Sequence, residues 1–229
     1  MYMAEEFNDI VKRLQDDMRK FLQNTELEIN GVTIRPLEIE AYYYEEGVFE
    51  DCYVHCNEMQ TEKNKGHFYV HRKGKREQDA YSGGNRCCLD YVVGKKGTYF
   101  SYLLRSASVE FNGESVLCIK PNILLNNILT ATDLDKNDLE KTKIDVKKEK
   151  NNDQVFFSTR VGLSGDGKFA NALLRAVRNG PHLKQKGYPG KEKIAYDYYI
   201  RLRNGLNEDD IKDEIREIFG YLPPIKQHL

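Results

Sequence analysis

The dipeptide Asn30-Gly31 constrains the fold more than any other feature, because it lies between two runs of strand-forming residues. Asparagine and glycine adopt the left-handed backbone of a two-residue turn easily, so the pair predicts an antiparallel hairpin. The second run continues as LEIEAYYYEEG, residues 37–47, and alternates apolar and polar residues as a half-buried strand does. Its apolar face carries Leu37, Ile39 and Ala41, and its polar face carries Glu38, Glu40 and Tyr42. The polar face is either solvated or part of a site.

Further helices and strands follow from periodicity and residue type. Apolar residues recur at helical spacing from Ala4 to about Asn24, which predicts an amphipathic helix with one face toward a core. Three strand-like runs come next, GHFYVHR, CCLDYVVG and YFSYLLRSASV. PNILLNNILTA is typical of a short helix, with Pro121 in the first turn, where a missing N–H does no harm.

The C-terminal part of the chain contains the remaining predicted elements. Residues 133–154 are rich in mixed charge and poor in apolar residues, which is typical of a surface excursion that can be helical in part. NEDDIKDEIREIF predicts a terminal helix, because an asparagine cap precedes acids in its first turn. Between these segments, we predict VFFSTRVGL as a strand, KFANALLRAVR as a short helix or turn, NGPHLKQKGYPGKEK as a loop and AYDYYIRLR as a last strand.

These elements predict an α+β fold, a single domain with one curved, mostly antiparallel β-sheet flanked by helices. The sheet is expected to be mostly antiparallel because the connections between strands are too short for crossover helices. A chain of 229 residues is long enough to bury a full core. We expect residues 1–203 to form this domain, and residues 204–229 to add a helix and tail that pack on it.

Net charge, apolar segments and cysteine content limit the partners and the location that we expect for the protein. Lys and Arg total 35 against 36 Asp and Glu, so any contact with a polyanion must come from local patches. No segment is apolar enough for an export signal or a membrane span, so we expect a cytoplasmic protein without membrane contact. The odd number of cysteines indicates reduced thiols. Cys52, His55, Cys56, His67 and His71 suggest a zinc site, but no second spaced cysteine pair completes one, and no metal is predicted.

Several short motifs follow one another in order along most of the chain. They are Glu40-Ala41-Tyr42, His55, FYV at 68–70, CLDYVV with Asp90, LLR ending at Arg105, KPNILLNNIL, and STRVGL with Arg160. In this order and approximate spacing, from the first helix to about Leu202, the sequence resembles the alkyladenine (3-methyladenine) DNA glycosylases of the non-helix-hairpin-helix type. Those enzymes remove alkylated purines from DNA, and the resemblance implies their fold as well.

The resemblance also implies roles for individual residues. Glu40 would be the general base that activates a water, Arg105 would orient both, and Asp90 would be a second carboxylate nearby. Hydrolysis of an N-glycosidic bond passes through an oxocarbenium-like sugar, which a carboxylate stabilises while it takes a proton from water. Such enzymes flip the nucleotide out of the duplex and use no cofactor. The walls of the base pocket would be Tyr42, His55, Tyr69 and His71, since planar side chains stack on purines.

Three departures from the family pattern keep other functions open. Asp90 stands where the family has an asparagine, and Lys120-Pro121-Asn122-Ile123 replaces a Gly-Pro-Gly-Lys segment whose glycines permit close backbone approach. The loop KGKREQDAYSGGNR replaces a tight hairpin whose tyrosine wedges into the duplex, and Tyr81 is the only aromatic residue left in that loop. Tyr81 is therefore the candidate wedge.

Candidate contacts with nucleic acid come from basic residues in loops. Lys73, Lys75 and Arg76, together with Lys184, Lys186, Lys191 and Lys193, form either a phosphate-facing patch or ordinary solvated loops. Arg160 is either a further contact or a structural anchor. Arg105 ends an apolar run and should be paired with a carboxylate, either Glu40 or Asp90, because an unpaired buried charge is costly.

The resemblance therefore implies a DNA N-glycosylase that acts on damaged double-stranded DNA. Two alternatives remain. The pocket could cleave or bind a nucleoside-like small molecule, or the chain could be a non-catalytic nucleic-acid-binding relative. The sequence does not determine the oligomeric state.

Overall fold

The computed structural model describes residues 2–163, 165, 167–203 and 207–222, with side chains from residue 6 onward. Within these residues it contains six α-helices and ten β-strands. The helices are α1 (Tyr2–Asn24), α2 (Pro121–Thr132), α3 (Lys136–Lys141), α4 (Lys168–Asn171), α5 (Lys191–Leu202) and α6 (Glu208–Phe219). The strands are β1 (Thr25–Ile29), β2 (Val32–Glu45), β3 (Phe49–Glu50), β4 (Phe68–Val70), β5 (Leu89–Val92), β6 (Thr98–Phe111), β7 (Glu114–Cys118), β8 (Asp145–Lys148), β9 (Val155–Ser158) and β10 (Arg175–Arg178).

The strands of the described residues form one open sheet in which the neighbouring strands run antiparallel. Its main path is β4-β5-β6-β2-β1-β8, while β3 and β10 also pair with β2, β7 pairs with β6, and β9 pairs with β10. The α+β class and the mostly antiparallel sheet predicted from the sequence are confirmed. The long strand β2 is central, because it pairs with β6 along one edge and with β1, β10 and β3 along the other.

The predicted hairpin is present at Asn30-Gly31. Both residues have positive φ, 47° and 75°, as a type I′ turn requires. Further along β2, the ladder to β6 is irregular, since Pro36 pairs with Ala107, Glu38 with Ser106 and Ile39 with Leu104. Leu37 is left outside the ladder and stays partly exposed, rather than facing the core with Ile39. Such an irregularity changes the direction of nearby side chains, and here it lies next to Glu38 and Glu40.

Two hydrophobic clusters cover opposite faces of the sheet. On the first face, α1 and α2 pack over a cluster that includes Ile39, Ala41 and Ala176. On the second face, α5 and α6 pack over a cluster that includes Phe156 and Val177. Because neighbouring residues of a strand point to opposite faces, the second face also carries Glu38 and Glu40, which pair across β10 with Val177 and Arg175. The acidic face of β2 is therefore not solvated.

Two segment predictions are wrong near the C-terminus. AYDYYIRLR was expected to be a strand, but it belongs to α5. Its apolar residues Ile194, Ala195, Tyr198 and Tyr199 are buried together at helical spacing, which outweighs the strand preference of tyrosine. KFANALLRAVR was expected to be a short helix or turn, and only its first part, α4, is helical, while its second part is the inserted strand β10.

The segment at residues 133–154 packs into the domain and is not a surface loop. It contains α3 and the edge strand β8, which pairs with β1. Leu139, Glu140 and Ile144 are buried. Glu140 Oε1 accepts a hydrogen bond from the backbone N–H of Val70 at 2.7 Å. α6 begins at its predicted cap, Asn207, and ends at Phe219, whereas residues 223–229 of the predicted tail lie outside the described residues. Among the helices that the structure describes, none combines the length and apolar character needed to cross a bilayer.

Candidate active site

The register of the sheet places a row of functional side chains on its second face. Arg175 lies opposite Glu40 on β2, and Leu103 on β6 lies between Glu40 and Asp90. Tyr69 on β4 completes the row beside Asp90. Residues directly opposite one another in a sheet point to the same face, and each strand adds about 4.8 Å. Glu40 and Asp90 therefore emerge from the same face, with backbones about 10 Å apart.

Glu40 is fully buried and held from three sides. Its Oε1 accepts the backbone N–H of Val161 at 2.7 Å and lies 3.3 Å from Arg105 Nη1. Its Oε2 accepts the hydroxyl of Tyr42 at 3.2 Å. The predicted pairing of Arg105 with Glu40 is confirmed, whereas no contact joins Arg105 to Asp90 among the described residues. Arg105 has a second partner that the sequence analysis left without a role, Glu38.

Glu38 is the centre of a buried ionic cluster behind Glu40. Its Oε1 accepts hydrogen bonds from Arg105 Nε at 2.8 Å and from Arg175 Nε at 2.7 Å, and the hydroxyl of Tyr188 donates to Oε2. Burial raises the pKa of Glu38, but the charges of Arg175 and Arg105 lower it more, so the net pKa is below its ordinary value. Arg175 also donates to the carbonyl oxygen of Pro189 at 2.8 Å. The cluster ties β2, β6 and β10 to the loop before α5.

A cavity of about 450 Å³ opens beside Glu40. Five residues predicted for the site line it, Tyr42, His55, His71, Asp90 and Lys75, together with Cys52, Tyr53, Val54 and Gln60. A second cavity of about 590 Å³ shares His55 and His71 and adds Arg72, Lys73, Ser82, Gly83, Asn85, Arg86 and Cys88. The two histidines thus line both cavities, which are neighbours. Glu40 itself lies behind the wall and connects to the cavity through the hydroxyl of Tyr42.

Asp90 forms a pair with His71. His71 Nε2 lies 2.6 Å from Asp90 Oδ1, while Asp90 Oδ2 accepts the hydroxyl of Ser101 at 2.6 Å and the amide of Gln60 at 3.4 Å. Burial lowers the pKa of His71, but the charge and hydrogen bond of Asp90 raise it more, so the net pKa is above the ordinary value. Asp90 therefore orients a histidine and does not join Arg105.

Tyr69 contacts both histidines from inside the fold and does not line the cavity. It is fully buried, and its hydroxyl lies 3.0 Å from His55 Nδ1. Its ring stacks on that of His71, with centroids 5.4 Å apart. Burial lowers the pKa of His55, and the neighbouring His71 lowers it further, so His55 is neutral at pH 7. The predicted wall is thus corrected to a buried support.

Arg160 is a structural anchor. It is buried, its Nη1 lies 2.7 Å from Asp51 Oδ2, and it donates to the carbonyl oxygen of Ala41 at 3.2 Å. Its guanidinium also lies over the ring of Tyr42, 4.8 Å from the centroid. Of the two alternatives, the structural anchor is the one that the structure supports, because the side chain is buried and both terminal nitrogens bond inside the fold. Its contacts instead fix the position of Tyr42.

The loop that carries the candidate wedge is folded back on the domain. The Tyr81 hydroxyl donates to Glu140 at 2.8 Å, and Arg72 lies 4.3 Å from the ring centroid. Arg72 in turn bonds Glu140 through both terminal nitrogens, at 2.8 and 2.7 Å. Tyr81 is therefore held inward and does not project as a wedge. Lys73, Lys75 and Arg76 are exposed on the same loop, and the first two line the cavities.

Sequence reasoning missed several groups that shape the site. They are Glu38, Gln60, Ser101, Arg175 and the backbone N–H of Val161. The position of Glu38 two residues before Glu40 was a signal, since both had to lie on one face. Across the described ranges, no group of three or more His, Cys, Asp or Glu side chains is arranged to hold a metal ion. All five cysteines are free thiols.

Comparison with models of known protein families finds none that matches this chain, and comparison with the curated proteins finds no match either. The resemblance to alkyladenine DNA glycosylases therefore rests on the order of the sequence motifs alone.

Proposed function

We propose that the protein is a monofunctional N-glycosylase that excises damaged purines from double-stranded DNA. One observation carries the proposal. Glu40, fixed by Arg105 and the N–H of Val161, lies directly behind a cavity walled by Tyr42, His55 and His71. A buried carboxylate with one oxygen firmly held and the other only weakly bonded, beside a cavity with planar walls, suits the hydrolysis of a flipped nucleoside.

The hydrogen bonds of Glu40 assign different roles to its two oxygens. Oε1 is occupied by Val161 and Arg105 at 2.7 and 3.3 Å. Oε2 is held only by the Tyr42 hydroxyl at 3.2 Å, which is long compared with about 2.7–2.8 Å for a usual O–H···O bond. A water molecule that replaces this weak bond can give its proton to Oε2 as its oxygen attacks the sugar. The negative charge of the carboxylate stabilises the oxocarbenium-like sugar in the same step.

The dimensions and chemistry of the cavity suit a flipped purine. Its volume of about 450 Å³ lies in the range of small-molecule sites, roughly 300–1,000 Å³. Tyr42 and His71 offer π-faces, and His55 is a neutral donor or acceptor for a base edge. Lys73 and Lys75 at the rim can contact phosphates, which position a duplex without reading its sequence.

The test is base release by Glu40→Gln from duplex oligonucleotides that each carry one damaged purine. Glutamine keeps the shape and still accepts the N–H of Val161, so the fold should persist, whereas single-turnover excision should fall by about 10²–10⁴-fold. Glu46→Gln is the matched control, because Glu46 is exposed in the turn after β2. Undiminished excision by Glu40→Gln would remove Glu40 from the mechanism, and a wild-type protein without excision activity on any duplex would refute the function.

A second candidate is a hydrolase or binding protein for a free nucleoside or nucleotide. Asp90 favours a free nucleoside in particular, because its buried carboxylate on the cavity wall repels phosphate groups and a nucleoside carries none. Binding measured from 50 to 200 mM salt separates the two candidates, since a duplex binder weakens steeply as salt rises. A non-catalytic relative is less favoured, because Glu40 lies 3.3 Å from Arg105 rather than out of its reach.

A further inference from the structure

A cavity of about 700 Å³ lies on the first face of the sheet, opposite the face that carries Glu40. Tyr102 of β6 lines this cavity and pairs with Ala41, whereas the next residue, Leu103, pairs with Glu40. Neighbouring residues of a strand point to opposite faces, so the sheet separates this first-face cavity from the candidate active site. Its volume falls in the range of small-molecule sites, roughly 300–1,000 Å³.

The floor of the first-face cavity consists of aromatic side chains packed around Phe21 of α1. The ring of Phe21 lies 5.2 Å from that of Tyr91 and 5.0 Å from that of Tyr102, measured between centroids. Val93 and Val146 add apolar surface, and Val146 on the edge strand β8 is 50% exposed. Aromatic rings pack favourably on one another with centroids about 4.5–7 Å apart. The floor therefore favours a ligand with a flat, aromatic body.

The hydroxyl of Tyr102 is available to a ligand in this cavity. Tyr102 is only 2% exposed, and its hydroxyl forms no hydrogen bond with any residue that the structure describes. The hydroxyl is also not one of the buried polar atoms that lack a partner, so it reaches the open space of the cavity. Burial raises the pKa of Tyr102, and the charge of Asp17 raises it further, so the hydroxyl stays protonated and can donate. A ligand that fills the cavity leaves this donor unsatisfied unless it offers an acceptor.

Positive charge predominates among the charged residues of the first-face cavity. Four lysines and two acids line it: Lys20, Lys65, Lys148, Lys150, Asp17 and Glu149. Asp17 lies 3.9 Å from Lys20, which partly compensates its charge. Glu149 likewise lies 3.9 Å from Arg35. The other three lysines are exposed, and none of them forms an ion pair with a described residue. Free ammonium groups beside an apolar floor favour an anionic group on the ligand.

We propose that the first-face cavity binds a small aromatic carboxylate whose ring carries a hydrogen-bond acceptor at the end away from the carboxylate. The ring packs on Phe21 and Tyr91, and the acceptor receives the hydroxyl of Tyr102. The carboxylate lies at the exposed lysines, among them Lys148. The two polar contacts lie at different depths, because Tyr102 is buried whereas the lysines are exposed. The inference is independent of the proposed function, since the two sites lie on opposite faces of the sheet.

Isothermal titration calorimetry with 6-hydroxy-2-naphthoate at pH 7 tests the proposed ligand class. The compound has a flat apolar body, a carboxylate at one end and a hydroxyl at the other. We expect saturable binding with a Kd below about 1 mM, a modest affinity for a ligand of this size. Two compounds of similar size should bind at least about threefold more weakly, the uncharged 6-hydroxy-2-naphthamide and the saturated 6-hydroxydecahydro-2-naphthoate.

Tyr102→Phe locates the binding and tests the role of the hydroxyl. The variant keeps the ring contact with Phe21, and the hydroxyl that it removes bonds no described residue, so the fold should persist. The Kd for 6-hydroxy-2-naphthoate should rise by about three- to tenfold. The Kd for 2-naphthoate, which lacks the acceptor, should change by less than about twofold.

Lys148→Gln tests the contribution of the exposed lysines. The Kd for 6-hydroxy-2-naphthoate should rise by about two- to fivefold in this variant. Lys147→Gln is the matched control, because Lys147 lies on the same strand and carries the same charge, but it pairs with Glu28 and does not line the cavity. The control should change the Kd by less than about 1.5-fold.

Several results would overturn the inference. They are a wild type without saturable binding up to about 1 mM, equal affinity for the naphthamide or for the saturated carboxylate, and equal effects of Tyr102→Phe on the two naphthoates. Equal losses in Lys148→Gln and Lys147→Gln would also overturn it, because they would reflect net charge rather than a contact. Each of these results leaves the test of Glu40 by base excision unaffected, so failure of this site is distinguishable from failure of the proposed function.

Discussion

Replacing Glu38 with glutamine is expected to lower the free energy of unfolding by about 3–5 kcal/mol, the usual result of breaking a buried ion pair from one side. Glu38 is 2% exposed and accepts hydrogen bonds from Arg105 at 2.8 Å and Arg175 at 2.7 Å. Glutamine preserves the shape but removes the charge. Glu40 then compensates Arg105 alone, at 3.3 Å, so Arg175 is left buried without a counter-ion.

The contribution of Glu38 to the free energy of unfolding should decrease at acidic pH. Its pKa is lowered below the ordinary value of 4.5, because the charges of Arg175 and Arg105 outweigh the effect of burial. A carboxylate with a lower pKa in the folded state stabilises the fold fully above its unfolded pKa, and this contribution is lost as pH falls through the folded pKa. The difference between wild type and Glu38→Gln should therefore be constant near neutral pH and shrink below about pH 4.5.

Urea denaturation followed by far-ultraviolet circular dichroism and tyrosine fluorescence measures this difference, since the chain has 15 tyrosines and no tryptophan. Glu110→Gln is the control, because Glu110 bonds Arg35 at 2.6 Å but its side chain is 41% exposed. An exposed pair of this kind contributes about 0–1 kcal/mol. A loss below about 1 kcal/mol in Glu38→Gln, or a difference that grows as pH falls, would refute the reasoning.

Two further substitutions test how the loops around the site are held. Gly190→Ala should lower the melting temperature more than Gly187→Ala, because both glycines have positive φ but only at Gly190 would a Cβ lie 2.7 Å from Arg175 Nη1. Equal losses would show that backbone strain alone is responsible. Glu140→Gln should speed amide hydrogen exchange in residues 71–82, because it leaves the buried Arg72 without its partner. Exchange that stays unchanged there would contradict the role assigned to this pair.

Features that depend on neighbours in the sequence were predictable. The turn at Asn30-Gly31, the start of α2 at Pro121 and the cap of α6 at Asn207 each follow from a residue whose backbone or side chain suits that position. The order of the motifs also predicted that Tyr42 and His55 would line one cavity. These predictions need no knowledge of which strands pair.

Features that depend on pairing between distant segments were not predictable. Arg175 meets Glu38 and Glu40 only because β10 inserts beside β2, and nothing in the local sequence indicates that register. The helix α5 was missed for a related reason. Tyrosines favour strands on average, but Ile194 and Tyr198 are four residues apart and are buried in one cluster, so tertiary packing decided the conformation.

The buried carboxylate of Asp90 is best understood together with His71. A buried carboxylate is costly unless a cation or several donors compensate it, and Asp90 is only 1% exposed. Ser101 and Gln60 supply two donors, and His71 Nε2 lies 2.6 Å from the other carboxylate oxygen. The same contact that stabilises Asp90 keeps a proton on His71 to higher pH. Asp90 and His71 therefore hold each other in place, and the pair fixes an imidazole on the wall of the cavity.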